Sequence, residues 1–279
     1  MTGPIFVSGA SRSGKTLMRG ILSSHSRIVV SRRTDMWPLF YKRFGDLDQR
    51  ENFERCLDEM LERPQIAALD PDIDRVRREF GRGPRTYPRL FALIHEHYAE
   101  RCGKPRWGDQ TAGLERMADT VIPAYPGTRF IHMLRDPRDR YAALVARRPQ
   151  RRFALERSTI AWVRSAVLAA RNSARHPDVY CAVRYEVLVS RPEQTIRNLC
   201  TFLHEKFEPA MLRMENEPRY DEARRASSVG IPLTTAYIGC HRDVLDRRSS
   251  AFVRLVARPE MRRLGYLNLP SHATPGGKS

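Results

Sequence analysis

The segment GASRSGKT, from Gly9 to Thr16, constrains the fold of this chain more than any other part of its sequence. A glycine, four further residues and then glycine, lysine and threonine form the spacing of a phosphate-binding loop. An apolar run, residues 4–8, precedes the segment, and residues 17–22 follow it with helical spacing. Because this spacing requires a strand, a loop and a helix in that order, the sequence predicts a phosphate bound at the N-terminus of the first helix.

Short apolar strands alternate with helical patterns along the rest of the chain. Strands are predicted at residues 4–9, 27–31, 129–134 and 179–184, and helices at residues 113–125, 138–148, 153–175, 192–204 and 242–257. Alternation of this kind is typical of a parallel sheet that is covered on both faces. The sequence therefore predicts an α/β fold, with a P-loop-type parallel sheet and helices on both faces.

Two segments depart from this alternation. Residues 36–102 carry helical patterns broken by proline and glycine, without a strong strand, and predict a helical insertion or cap. Residues 270–279 contain two prolines and a Gly-Gly pair and predict a flexible tail. We expect residues 1–269 to form a single domain, because a chain of this length can bury an ample core.

The composition favours a soluble protein. Hydrophobic residues make up 41% of the chain, and no run approaches the ~20 apolar residues of a membrane helix. The first residues lack the pattern of a secretory leader. The five cysteines are scattered without a C-x-x-C pair, so we expect reduced thiols and no metal site. These features predict a cytoplasmic protein.

The net charge of +17 comes almost entirely from arginine, since lysine occurs at only five positions. A field of this sign attracts anions, and nucleic acid, anionic lipid and a charged nucleotide are all candidates. The sequence has no RNA-recognition signature, zinc finger or basic stripe interleaved with aromatic residues. We therefore expect no nucleic-acid partner, and interpret the charge as an arginine-rich surface around an anionic cofactor pocket.

The strand at residues 129–134 helps to identify the bound phosphate. A P-loop ATPase or kinase places an acidic residue at the end of a neighbouring strand to hold Mg²⁺. Here Arg135 is the first polar residue after the strand, and Asp136 follows it. An arginine at this position suits a second phosphate better than a cation. Asp136 keeps an ATP-dependent kinase as the alternative.

Three separate segments resemble one known family when they are taken in order. They run from Ser8 to Met18, from Arg129 to Asp139 and from Arg184 to Leu203. Together they resemble the sulfotransferases that use 3′-phosphoadenosine 5′-phosphosulfate (PAPS) and release the bisphosphate PAP. The bacterial, carbohydrate and tyrosylprotein branches are the most similar. The resemblance extends to Tyr266 and is weakest in residues 36–102.

The resemblance implies that the P-loop holds the 5′-phosphosulfate of PAPS, through backbone N–H groups and the helix N-terminus. The implied cofactor-binding residues of the loop are Ser11, Arg12, Ser13, Gly14, Lys15 and Thr16. Arg12 stands where the family has a basic residue at the bridging oxygen, so it is also implied to be catalytic. Lys15 replaces a threonine that is common in the family, and it supports the kinase alternative.

A second anchor is implied at the end of strand 129–134. Arg135 matches the arginine that contacts the 3′-phosphate in the family, a group that ATP lacks. The alternative is a surface arginine paired with Asp139. Ala143 stands where the family usually has a serine, so one hydrogen bond to this phosphate is missing. The residues carried over for the rest of the nucleotide are Tyr185, near adenine or ribose, and Arg242 and Ser227, in the segment that resembles the family's closing loop.

The base that would activate the acceptor is the least determined part of the site. Many relatives have a glutamate where this chain has Arg33, and a histidine used in another branch is also missing near residues 107–112. Asp35 and Asp109 are the two carboxylates close by in the pattern. Asp35 is alternatively a helix N-cap, Asp109 is alternatively a hydrogen-bonding centre, and a third alternative is that neither is the base. Arg33 and its neighbour Arg32 could bind an anionic acceptor.

The leading hypothesis from the sequence is therefore a sulfotransferase that needs PAPS and no metal. Its partner would be a small-molecule or glycan acceptor, with a hydroxyl on a carbohydrate, a glycolipid at a membrane surface or a small natural product. The alternatives are a P-loop small-molecule kinase that uses ATP and a nucleotide-binding relative without catalysis.

Overall fold

A computed structural model describes residues 2–147, 154–215 and 233–267 of the chain. Its five strands form one sheet of order β2-β3-β1-β4-β5, in which all neighbours are parallel. The strands are β1 (Ile5–Ser8), β2 (Ile28–Ser31), β3 (Arg106–Gln110), β4 (Arg129–Leu134) and β5 (Tyr180–Arg184). This arrangement confirms the predicted α/β fold.

Helices cover both faces of the sheet. They are α1 (Lys15–Ser23), α2 (Met36–Phe40), α3 (Arg50–Leu61), α4 (Pro64–Ala67), α5 (Ile73–Gly81), α6 (Tyr87–Arg101), α7 (Ala118–Ala124), α8 (Pro137–Arg147), α9 (Leu155–Arg175), α10 (Tyr185–Ser190), α11 (Pro192–Leu203), α12 (Ala210–Arg213), α13 (Arg247–Val256) and α14 (Arg258–Arg263). Short 3₁₀ turns lie at Leu114–Met117, Thr235–Tyr237 and Cys240–Asp243. Within the described ranges, no helix is both long and apolar enough to cross a bilayer.

The side chains of β1 show how the two faces are built. Phe6 belongs to a core formed with helices α2 to α7, and its ring lies 5.8 Å from that of Phe130 on β4. Ile5 and Val7 belong to a second core with α1, α10 and α11. Successive side chains of a strand point to opposite faces, so three consecutive apolar residues serve two cores. A smaller core joins α9 to α13 and α14.

Residues 36–102 form five helices, α2 to α6, without a strand among them. All of them contribute to the core on the Phe6 face. The helical character predicted for this segment is therefore present in the structure. Its role as a cap over an acceptor stays a prediction, as does the single domain from residue 1 to residue 269. The proposed tail, residues 270–279, lies outside the described residues.

Strand β3 was not predicted from the sequence, because its residues RWGDQ form no apolar run. All five are buried between β1 and β2. Gly108 permits the close pairing, since a Cβ built there would lie 2.5 Å from the carbonyl oxygen of Ile5. Helices α10, α12 and α14 were also missed. The helix predicted at residues 242–257 begins later, at Arg247, after a 3₁₀ turn.

Candidate active site

The P-loop connects β1 to α1 at the carboxyl end of the sheet, where ligands bind in open parallel α/β folds. Gly9 and Gly14 have φ angles of 123° and 97°, in the region that favours glycine. A Cβ on Gly9 would lie 2.3 Å from the carbonyl oxygen of Met133, and one on Gly14 would lie 2.8 Å from Cδ2 of Tyr185. The loop therefore packs directly against β4 and the start of α10.

Arg12 lies at the exposed tip of this loop, with a left-handed φ of 68°. Partial desolvation lowers the pKa of its guanidinium, and the nearby charges of Arg147 and Arg135 lower it further. Three cations from the loop and from α8 and the end of β4 therefore share one region. Such a concentration of positive charge suits a multiply charged anion.

Lys15 is buried at the first position of α1. Its Nζ donates to the carbonyl oxygens of Gly9 and Ala10, at 2.8 and 2.7 Å. Burial lowers the pKa of this lysine to about 8, although Glu115 acts in the opposite direction. The lysine that supported the kinase alternative therefore stabilises the bend of the loop in this structure.

A buried polar network supports the start of the loop from below. Glu115 accepts hydrogen bonds from the Ser8 hydroxyl and, at 3.3 Å, from the backbone N–H of Gly9. Ser165 on α9 donates to the same carboxylate at 3.2 Å, and its hydroxyl lies 2.9 Å from Nε2 of His132 on β4. Burial lowers the pKa of His132, although the neighbouring carboxylate of Glu115 acts in the opposite direction. The network thus links the loop to the helix and strand behind it.

Arg135 leaves β4 directly beside the loop. Its Nη1 lies 3.5 Å from the carbonyl oxygen of Arg12, and its Nη2 donates to that of Tyr237 at 2.9 Å. The guanidinium carbon lies 4.5 Å from the ring centroid of Tyr185, the same ring that packs on Gly14. The sequence predictions at residues 12–16, 135 and 185 therefore meet in one place.

Asp139 does not pair with Arg135, in contrast to the alternative raised from the sequence. Its carboxylate instead accepts hydrogen bonds from the backbone N–H groups of Gly239 and His241, at 2.7 and 3.0 Å, and contacts His241 Nδ1 at 2.6 Å. Asp139 thus anchors the late segment beside Arg135. Arg242 is exposed in this segment, next to the anchored residues, whereas Ser227 lies outside the described residues.

The two candidate bases differ sharply in their surroundings. Asp109 is 1% exposed, and its Oδ1 accepts hydrogen bonds from Ser31 Oγ at 3.0 Å and Thr34 Oγ1 at 2.8 Å. The side chain of Asp35 is 14% exposed and pairs with Arg33 Nε at 2.5 Å. Asp35 has a left-handed φ of 55° and makes no capping hydrogen bond to α2. Burial raises the pKa of Asp35, and the charge of Arg33 only partly opposes this shift.

The profile of a family described as "Sulfotransferase family" matches residues 4–209, well over half of the chain. The chain belongs to the sulfotransferase family. This membership confirms the resemblance drawn from the three segments and makes the protein a PAPS-dependent transferase. No curated protein sequence matches the chain.

Solved structures of low sequence identity share the fold of this sulfotransferase. The sulfotransferase domain of the Synechococcus PCC 7002 olefin synthase has a TM-score of 0.64 and 18% identity, over 97% of this chain and 98% of that one. The sulfotransferase domain from the curacin biosynthetic pathway has a TM-score of 0.59 and 17% identity, over 97% and 99%. A mouse sulfotransferase complexed with PAP has a TM-score of 0.53 and 9% identity, over 95% and 87%.

Several groups that shape the sulfotransferase site were missed in the sequence. Glu115, His132 and Ser165 come from three separate elements, and no spacing rule relates them.

In residues 2–147, 154–215 and 233–267, no cluster of three or more His, Cys, Asp or Glu has the geometry to hold a metal ion.

We expect Asp109→Asn to lower stability more than turnover, because Asp109 accepts two buried hydroxyl hydrogen bonds. Replacing a charged acceptor by a neutral amide should lower the free energy of unfolding by about 1 kcal/mol. Denaturant unfolding and the turnover rate of the folded variant measure the two effects. If turnover instead falls by about 100-fold or more while stability is unchanged, Asp109 takes part in the chemistry.

Proposed function

We propose that this sulfotransferase moves a sulfuryl group from PAPS to a hydroxyl of a small-molecule or glycan acceptor. The observation that carries the proposal is the meeting of Arg135, Tyr185 and the P-loop at the carboxyl end of the sheet. Two anionic groups of one nucleotide could then be held by different elements, the 5′-phosphosulfate by the loop and the 3′-phosphate by Arg135.

The polar atoms of the pocket fit such an anion. Ser13 Oγ and Arg135 Nε are buried and have no hydrogen-bond partner among the described residues. Helix α1 also begins without a side-chain cap, so its first N–H groups are available to a phosphate. Buried donors without partners are rare in folded proteins, and a bound ligand is one explanation for them.

In this proposal the residues of the chain have distinct roles. Arg12 stabilises the negative charge that develops on the departing 5′-phosphate. Asp35 accepts the proton of the acceptor hydroxyl, because it is the more accessible carboxylate and its pKa is raised toward the working range of a base. Tyr185 and the loop hold the nucleotide in place.

Arg135→Ala should remove most of the preference for PAP over ADP. A hydrogen bond to a charged group is worth about 1.5–3 kcal/mol, so the Kd for PAP should rise about 10- to 150-fold. The affinity for ADP, which lacks the 3′-phosphate, should change little. Titration calorimetry with both nucleotides measures the difference, and Arg135→Lys tests whether charge alone is enough.

The sulfotransferase proposal and the kinase alternative differ in the nucleotide that each expects to bind most tightly. A ligand that binds only the folded state raises Tm, and at equal concentration the tighter ligand raises it more, so PAP should raise Tm more than ATP with Mg²⁺. Turnover should be unchanged by EDTA, since the proposed charge stabilisation comes from arginine and the loop. A larger shift with ATP and Mg²⁺, or strict dependence of turnover on Mg²⁺, would favour the kinase.

A transfer assay with labelled PAPS would identify the class of acceptor. Hydroxyls of small natural products are the first to test, because two of the structural relatives are domains of an olefin synthase and of the curacin pathway. Carbohydrates and glycolipids form the second group, and anionic acceptors test the exposed Arg33 at the site. Binding of PAP without transfer to any of these would favour the non-catalytic alternative.

A further inference from the structure

Arg140 on α8 lies directly behind the P-loop and is 3% exposed. Its Nη1 donates to the carbonyl oxygen of Ser11 at 3.2 Å, and its Nη2 donates to the backbone and hydroxyl oxygens of Ser158. Its Nε is buried and has no partner among the described residues. Among the described residues, every hydrogen bond of this cation is therefore to a neutral oxygen, and one of them is to the loop itself.

Arg106 provides a comparison, because it is a buried arginine elsewhere in the fold that has a carboxylate partner. Arg106 is also 3% exposed, at the amino end of β3 and away from the loop, and its Nη1 lies 3.2 Å from the carboxylate of Glu205. Arg140 has no such ion pair in the part of the chain that the structure describes. Burial lowers the pKa of Arg140 to about 10, with no carboxylate opposing the shift, whereas Glu205 opposes it in Arg106.

A buried charge without a counter-ion is costly, because the low dielectric around it replaces water. The cost is greater here because Lys15, which is also buried, lies close enough for Arg140 to lower its pKa. Both cations lie against the loop that would hold the phosphosulfate. Glu115 already opposes the shift at Lys15, whereas Arg140 has no carboxylate partner among the described residues, so an anion in the loop would supply a counter-charge for Arg140.

We propose that Arg140 is a positioning residue of the phosphosulfate site, and that the bound anion is the counter-ion of its buried charge. The inference rests on the proposed function, since it needs an anion in the loop. Arg140 acts on that anion through the Ser11 peptide and through its electric field, without touching it. The nucleotide-free protein thus keeps an electrostatic cost that binding relieves.

Arg140→Met and Arg106→Met form a matched pair of tests. Without nucleotide, Arg140→Met should be at least as stable toward denaturant as the wild type, while its Kd for PAP and its KM for PAPS should rise about tenfold or more. Arg106→Met should show the reverse, with lower stability and an unchanged Kd for PAP. Arg140→Lys, which keeps the charge, should recover part of the affinity.

Loss of stability in Arg140→Met at unchanged PAP affinity would overturn the inference, and so would a variant that does not fold. If PAP fails to stabilise even the wild type, the proposed function fails, and inorganic pyrophosphate becomes the probe for the loop. A larger rise in Tm with pyrophosphate for the wild type than for Arg140→Met would still support the role of Arg140. Equal rises would reject it.

Discussion

Asp35→Asn should lower kcat by about 10²–10⁴-fold, the range that general-base catalysis contributes. Asparagine keeps the shape of the side chain but cannot take a proton from the acceptor hydroxyl. The affinity for PAP should be unchanged, since Asp35 follows β2 and makes its ion pair with Arg33 rather than with the loop. Initial rates at saturating PAPS and a PAP titration separate the two effects.

The pH profile gives an independent check on Asp35. Because burial raises its pKa, the acid limb of kcat should lie above the range of an ordinary aspartate, with activity rising as the carboxyl loses its proton. Asp109→Asn is the matched control and should keep that limb. Normal turnover in Asp35→Asn would mean that the base lies elsewhere or that the acceptor is acidic enough to need none, as a phenol would be.

Arg12→Ala should lower kcat by about 10²–10³-fold, because the charge of Arg12 would meet the charge that grows on the departing phosphate. An interaction that strengthens only in the transition state changes kcat more than it changes the Kd for PAP. Alanine retains a Cβ and so keeps the same backbone requirement at φ 68°, which isolates the guanidinium as the variable.

Arg147→Ala is the control for the general electrostatic field, since Arg147 is exposed and contributes to the lowered pKa of Arg12 from a neighbouring helix. Its effect on kcat should be several-fold at most and should disappear at high salt. If Arg12→Ala and Arg147→Ala lower kcat equally, the net positive field accounts for the rate, and Arg12 has no specific role in the transition state.

The sequence was most informative where local chemistry decides structure. The spacing from Gly9 to Thr16 predicted the loop, and the apolar run before Arg135 predicted the strand that carries it. Carboxyl ends of neighbouring parallel strands meet at one edge, so the two predictions had to converge. The contacts of Arg135 with Arg12 and Tyr185 show that the end of β4 and the loop lie side by side, as this argument requires.

The sequence was least informative where tertiary contacts decide. Strand β3 is held by its two neighbours rather than by its own apolar content, so no local pattern revealed it. The preference for Asp35 over Asp109 in the proposed mechanism rests on which of the two carboxylates the fold buries. No sequence pattern distinguishes Arg140 from the other arginines, because only the fold shows that it lies behind the loop and has no carboxylate partner among the described residues.

The left-handed backbone at Arg12 and Asp35 has a consequence for directed evolution of this enzyme. A non-glycine residue in that region carries strain of order 1 kcal/mol, and glycine would relieve it at both positions. A library selected only for thermal tolerance should therefore enrich Arg12→Gly and Asp35→Gly, and under the proposed mechanism these stable variants would no longer transfer the sulfuryl group. Selection has to include turnover from its first round if the two strained residues are to survive it.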